Sequence, residues 1–393
     1  MRNILTALLV LLASSLGATT YYVDNANGND GNTGLSEVQA YATLGTAEAS
    51  AADGDIVYVQ SGTDYTVEDE GSAILYTNTA GTVANGGISW IGYTTTPGDN
   101  GMVTMNAGLN GLTYCVNSSV NCQHFHNFIF TGASSGGLTI GSRDNCNVIN
   151  CEANGNSGDG FNGDNYIYFE NCYSHNNGGD GFDIDVACMV IRSMSIGNTG
   201  WGINLLGDAG VIECVVVGNT AGGISTVATD DPLLLLHCTL DGDGSTTGVY
   251  ITGAVSDGIH ASSNIIYNHA TGLDVSVDIG RSFTQYNMNF YSNTLDRFRA
   301  GNDETDLALD PIFVDAAARN YEPTNQSLRL DSDWGTTTTA GVWIGAVPRD
   351  PDMPAAADVE SGVVYDDAYA TGTLSVGAGG GGGPLVGPGR LAR

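Results

Sequence analysis

Of 393 residues, 56 are Gly, 43 are Asp or Glu and 11 are basic, for a formal charge of −32. All eleven basic residues are Arg, and the lack of lysine excludes a Schiff-base lysine, a P-loop lysine and any lyase mechanism built on a lysine base. So negative a field repels a polyanion at long range and excludes nucleic acid as a partner.

The chain opens Met1-Arg2-Asn3, runs apolar over residues 4–13 and reaches small residues at Ser14, Ser15, Gly17 and Ala18. That profile predicts a signal peptide over residues 1–18. The apolar run is too short to span a bilayer, and no later segment is long and apolar enough to do so. The mature chain is therefore expected to be secreted or surface-associated, where calcium and glycans are available partners. An Ala-rich stretch over 35–52 then predicts a short helix. Elsewhere Asp (33) outnumbers Glu (10), which favours turns over long helices.

Through the middle of the chain a unit of about 21 to 25 residues repeats. Its anchors are Phe128, Cys151, Cys172, Ser193, Cys214, Cys238, Asn264 and Met288. Three residues earlier lie Phe125, Val148, Phe169, Val190, Val211 and Leu235, an unbroken apolar column. Four residues after the anchors come Gly132, Gly155, Asn176, Gly197, Gly218, Gly242 and Asn268, residue types that accept a left-handed backbone cheaply. One position further, Asn156, Asn177, Asn198, Asn219, Asp243, His269 and Asn293 predict a stacked polar ladder. The pairs Gly137-Leu138, Gly160-Phe161, Gly181-Phe182, Gly202-Ile203, Gly223-Ile224, Gly248-Val249 and Gly272-Leu273 start a further strand in each repeat.

A repeat this short cannot hold a βαβ crossover of roughly 30 residues, and it carries no apolar stripe of helical period. Two or three short strands per repeat, each pairing with its counterpart in the next, give a parallel solenoid with rungs about 4.8 Å apart. The predicted fold is all-β.

Tyr21-Tyr22-Val23-Asp24, Gly28-Asn29-Asp30-Gly31, Ala42-Thr43-Leu44 and the run from Asp53 to Val59 resemble the N-terminal cap and first rung of secreted right-handed parallel β-helix proteins, the pectate-lyase-like superfamily. Asp310-Pro311-Ile312-Phe313-Val314-Asp315 is similar to the segment that closes such helices. The resemblance spans roughly residues 21–347 and implies a single right-handed parallel β-helix. The expected organisation is a cap over 19–54, rungs over 55–315, a closing segment over 316–350, and a small appendage with a flexible Gly- and Pro-rich tail over 351–393. The cap is needed because an open solenoid end bares a strand edge and the core. The superfamily holds lyases, hydrolases, epimerases, tailspikes and adhesins, so the resemblance speaks for fold rather than activity. The Arg-Ile-Lys and Gly-His-Gly elements of its polygalacturonase-like hydrolases are absent. Gly181-Phe182-Asp183-Ile184-Asp185 starts like the epimerase Asp-Pro-His element but lacks its Pro and His.

Eight Cys in an exported chain suggest disulfides. Stacking in register instead gives Cys151, Cys172, Cys214 and Cys238 parallel Cβ vectors that fit a disulfide poorly, which favours buried thiols. A Cys122 to Cys146 bridge stays open as the alternative.

Three successive rungs carry Asp159, Asn162 and Asp164, then Asp180, Asp183 and Asp185, then Asn204 and Asp208. Carboxylates stacked about 5 Å apart repel, so a proton or a cation must lie between them. Outside the cell calcium suits such oxygen ligands, with Asp159, Asp164, Asp180, Asp183 and Asp185 as its candidate set. A solvated Asp-rich turn and a pair of catalytic carboxylates are the competing readings. The weaker catalytic candidates are Asp180, Asp183, His175, Tyr173 and Arg192. Tyr173 and His175, two apart on a strand, face the same way as base and phenol, and Arg192 is one rung on, able to receive a carboxylate.

The expected function is a secreted or surface-exposed scaffold that binds polysaccharide or cell-surface glycan, or serves an adhesive, appendage or tailspike-like role; a homo-oligomer fits the same pattern. The alternative is a calcium-dependent lyase, epimerase or glycoside hydrolase acting on acidic polysaccharide.

Overall fold

The computed structural model describes residues 17–298 except 68, 142–144, 208, 228–232, 245, 253–258, 276–282 and 287, together with 313–315, 320–323, 329–330 and 342–343. The expected signal peptide up to residue 16, Asp208, most of the closing segment and the tail over 351–393 lie outside the described residues.

Three sheets of eleven, nine and ten described strands run the length of a right-handed β-helix. Every strand pair among them is parallel, because each strand meets its own counterpart one coil later. One coil shows the plan: Cys146–Ile149 in the first sheet, Glu152–Asn154 in the second and Phe161–Gly163 in the third. Twenty-one residues on, Ile167–Glu170, Tyr173–His175 and Phe182–Ile184 repeat it in register. Side chains alternate in and out along each strand, so the period-two pattern fills one continuous interior. The column Phe125, Val148, Phe169, Val190, Val211 and Leu235 lies entirely in that core. Phe161 and Phe182 stack within it at 5.0 Å between ring centroids.

The solenoid begins earlier than expected, since Thr20–Val23 already pairs with Ile56–Gln60 as the outermost strand of the first sheet. The Ala-rich stretch forms a helix, α1 (Leu44–Ser50), which tucks Leu44 and Ala47 against the core. Its Glu48 carboxylate accepts the backbone N–H groups of Asn78 and Thr79, tying cap to coil. Phe313–Asp315 pairs antiparallel with Asn320–Pro323 and so is not a further rung. No helix among the described residues is long and apolar enough to cross a membrane.

The left-handed turn column holds at Gly132, Gly155, Asn176, Gly197, Gly218 and Asn268. It fails at Gly242, where the coil is longer and Gly244 takes the positive φ of 84° instead. The same insertion displaces the ladder. Asn156, Asn177, Asn198 and Asn219 stack, each side-chain amide donating to the next Oδ1 at 3.0 Å. Asp243 is exposed, and the buried ladder position falls to Thr246, whose Oγ1 lies 3.1 Å from His269 Nδ1. Beyond it, Asn293 Oδ1 accepts the His269 backbone N–H.

A second left-handed column, at the corner just before the anchors, holds Asn127, Asn150, Asn171, Arg192, Glu213, His237 and Ser263. The anchors themselves are buried, and none of the eight Cys is in a disulfide, Cys122 and Cys146 included.

Candidate functional site

The Asp-rich rungs meet on the outer face of the third sheet. Asp159, Asp180 and Trp201 occupy equivalent positions in three coils, two residues before the inward Phe161, Phe182 and Ile203. Asp159 Oδ1 accepts the backbone N–H of Asp180 at 2.7 Å, and Asp180 Oδ1 accepts that of Trp201 at 2.5 Å. Three residues on, a second outward row reads Asn162, Asp183, Asn204, Ser225, Tyr250 and Asp274. Asp183 is clamped in it: Asn162 Nδ2 donates to one carboxylate oxygen and Asn204 Nδ2 to the other, each at 3.0 Å.

Burial, and next the charges of Asp159 and Asp183, push the Asp180 carboxyl up to about 6. Burial and Asp159 raise Asp183 as well, against the lowering effect of its two amide donors. The repulsion foreseen between stacked carboxylates is thus met by hydrogen bonds and by readier protonation. The five candidate calcium ligands do not converge on one point. Asp183 spends both oxygens on amides, and Asp164 and Asp185 follow the strands at their far end. Among the described residues no three His, Cys, Asp or Glu side chains are grouped to hold a metal ion.

Beside the carboxylates lies an aromatic pair. The Trp201 ring spreads over Gly222 in the next coil, where a Cβ would fall 2.2 Å from ring carbon Cζ3. Beyond it the ring reaches Tyr250, 5.9 Å away between centroids and within 4° of parallel. Both rings are half-buried and face outward. Tyr250 is not among the sequence candidates, although its place is legible there: counted along the rungs, it falls in the outward row of Asp183.

The other weak candidates lie elsewhere. Tyr173 and His175 do share the outer face of the second sheet, stacked 4.2 Å apart. The imidazole is engaged on both sides, with Nε2 3.0 Å from Glu152 Oε1 and Nδ1 2.9 Å from Asn176 Nδ2. Arg192 sits at the corner between the first and second sheets, ion-paired to Glu170 with Glu213 at 3.8 Å. The guanidinium expected to receive a ligand's carboxylate therefore already has carboxylates of its own. The structure brings Asp159, Asp180 and Asp183 together and leaves Tyr173, His175 and Arg192 apart from them.

No family model and no curated protein sequence matches the chain. Among solved structures, pectate lyase Pel9A superposes with a TM-score of 0.54 at 16% identity, over 86% of this chain and 98% of that one. The chain has the pectate-lyase-like fold. A rhamnogalacturonan lyase aligns at 12% identity and a TM-score of 0.45, covering 77% of this chain and 92% of its own. For XylC in complex with xylose the values are 8% and 0.45, with 75% and 87% covered. The third sheet's outer face sets an aromatic pair beside amides and carboxylates; the second sheet's outer face also holds Glu152, Asn154, Tyr173 and His175, with the imidazole already engaged by Glu152 and Asn176.

Proposed function

We propose that the chain is an exported or surface-exposed β-helix scaffold that binds glycan, in an adhesive or structural role, on the outer face of its third sheet. The observation that carries this reading is the near-parallel Trp201–Tyr250 pair beside a row of amides, hydroxyl and carboxylates. A sugar offers a flat apolar face ringed by hydroxyls. A rigid aromatic surface takes the first and fixed polar groups take the second. Export rests on the profile of residues 1–18. The test is binding to immobilised polysaccharides by affinity electrophoresis, for the wild type and Trp201→Ala. Loss of half a ring pair should weaken retention about tenfold, roughly 1.4 kcal/mol. Unchanged retention in the variant defeats the assignment of the face.

One observation favours a catalytic reading as well. Asp180 is pushed up to about 6 beside Asp159 and Asp183, so a carboxylic acid able to donate a proton stands next to carboxylates. That pairing suits acid–base work on a polysaccharide. No step is assigned to calcium, since the carboxylates do not converge. Turnover of pectate, alginate or glycosaminoglycan, seen as unsaturated products or new reducing ends and abolished in Asp180→Asn, would establish it. Binding without turnover supports the scaffold.

A further inference from the structure

The face described above carries one sign of charge. Asp159, Asp180, Asp183, Asp185 and Asp274 all belong to the outward rows or ends of the third sheet's strands. Arg192 and Arg297, the Arg residues described within the coils, point elsewhere. Arg192 is held by Glu170 at a corner of the first sheet, and the Arg297 guanidinium lies 4.5 Å over the Phe290 ring. No described cation on this face can receive a uronate carboxylate, and a net charge of −32 repels a polyuronate before it arrives.

A neutral sugar meets a different obstacle. Covering Asp180 and Asp183 strips water from carboxylates that already repel one another, while Asp159, one coil from Asp180, repels both. A ligand ammonium laid between the two rows offsets both costs, because it attracts each carboxylate and screens one from the other. Hydrophobic contact with Trp201 and Tyr250 supplies the rest. We infer that the glycan taken by this face bears protonated amino groups, a polymer of 2-amino-2-deoxyhexose rather than a polyuronate. The inference rests on the glycan-binding reading and narrows it to one class.

The full-length protein is titrated calorimetrically at low salt with three probes: a fully N-deacetylated glucosamine hexamer, its N-acetylated counterpart, and a galacturonate hexamer. The deacetylated hexamer should bind at least tenfold more tightly than the acetylated one, and the galacturonate should not bind. The advantage should shrink as salt rises. Asp183→Asn, checked for an unchanged melting profile, should cut the ratio at least threefold. Salt dependence of the wild type tests the same point if that variant folds poorly.

Equal binding of the acetylated hexamer, or tighter binding of the galacturonate, overturns the amino-sugar class while leaving the glycan-binding face intact. Binding of the deacetylated hexamer that Trp201→Ala does not weaken marks diffuse attraction of a cation to an acidic protein, and overturns the inference. Binding of none of the three overturns both readings.

Discussion

Asp180 Oδ1 accepts the backbone N–H of Trp201, the residue equivalent to it one coil later, so the acid is built into the strand ladder that presents the aromatic pair. Burial first, then Asp159 and Asp183, raise its carboxyl to about 6. The unfolded value is about 3.9, so between the two the folded chain holds more protons than the unfolded chain. The resulting stability is fully present below about pH 4 and is lost as pH rises to about 6. His126 and His269, lowered to about 4 by burial, act in the opposite direction over an overlapping range. The difference between wild type and Asp180→Asn isolates the acid. Relative to wild type, the variant should gain thermal stability as pH rises from about 4 to 6 and show no further relative change above that. A relative loss across this window would contradict the burial of Asp180.

Asn177 is, equally with Asn198, the most heavily used member of the interior ladder. Its Oδ1 accepts from the backbone and side-chain nitrogens of Asn156. Its Nδ2 shares two N–H groups among Ala153 O, Ser174 Oγ and Asn198 Oδ1, each at 3.0 Å. Truncation to Ala strands donors and acceptors in both neighbouring coils, each costing about 1–3 kcal/mol when buried and unpaired. Asn177→Ala should therefore lower stability by at least about 3 kcal/mol by denaturant unfolding. Asn219→Ala, next to the irregular coil and with fewer side-chain partners, should cost less.

The coil plan was legible because like residues must lie over like once strands pair at a fixed spacing, so any column of Phe, Val and Leu or of Asn declares itself by position alone. Legibility failed where a coil changed length. Between Cys214 and Asn264 the corner lengthens, and the left-handed site moves from Gly242 to Gly244 while the ladder moves from Asp243 to Thr246. The Asp159–Asp183 cluster could be seen in sequence, but its resolution could not. Whether stacked carboxylates gain a cation, a proton or an amide depends on side-chain reach, and here Asn162 and Asn204 supply amides. The contact of Trp201 with Tyr250 spans two coils across the bare backbone of Gly222, which no column count reveals.

Gly181 shows how little room the second column of glycines has. A Cβ there would stand 2.1 Å from Ser195 Oγ and 2.5 Å from the Gly202 carbonyl oxygen. The Ser174 hydroxyl donates to the Gly181 carbonyl at 2.8 Å, as Ser195 does to Gly202, so the hydroxyls cannot simply swing away. Gly181→Ala should cost about 1–3 kcal/mol through overpacking, measured by denaturant midpoint. Gly181→Ala combined with Ser195→Ala, which removes the nearer obstacle, should recover part of that loss. If the single variant is as stable as the wild type, the tight stacking of these coils is wrong.

The cysteines give the last test. Burial raises the Cys115, Cys151 and Cys188 thiols to about 12, and Cys172 and Cys238 are raised well above the ordinary value. Only the thiolate attacks a disulfide reagent, so native protein near neutral pH should be nearly silent to an aromatic disulfide at any practical time. Reaction should wait for unfolding. In denaturant without reductant all eight Cys should then titrate, since none is in a disulfide. A count of six would mean one bridge formed on export, with Cys122 and Cys146 the first pair to examine by mapping. Rapid labelling of the folded chain would mean that the interior column opens on its own, and the dry interior on which the coils are stacked would have to be given up.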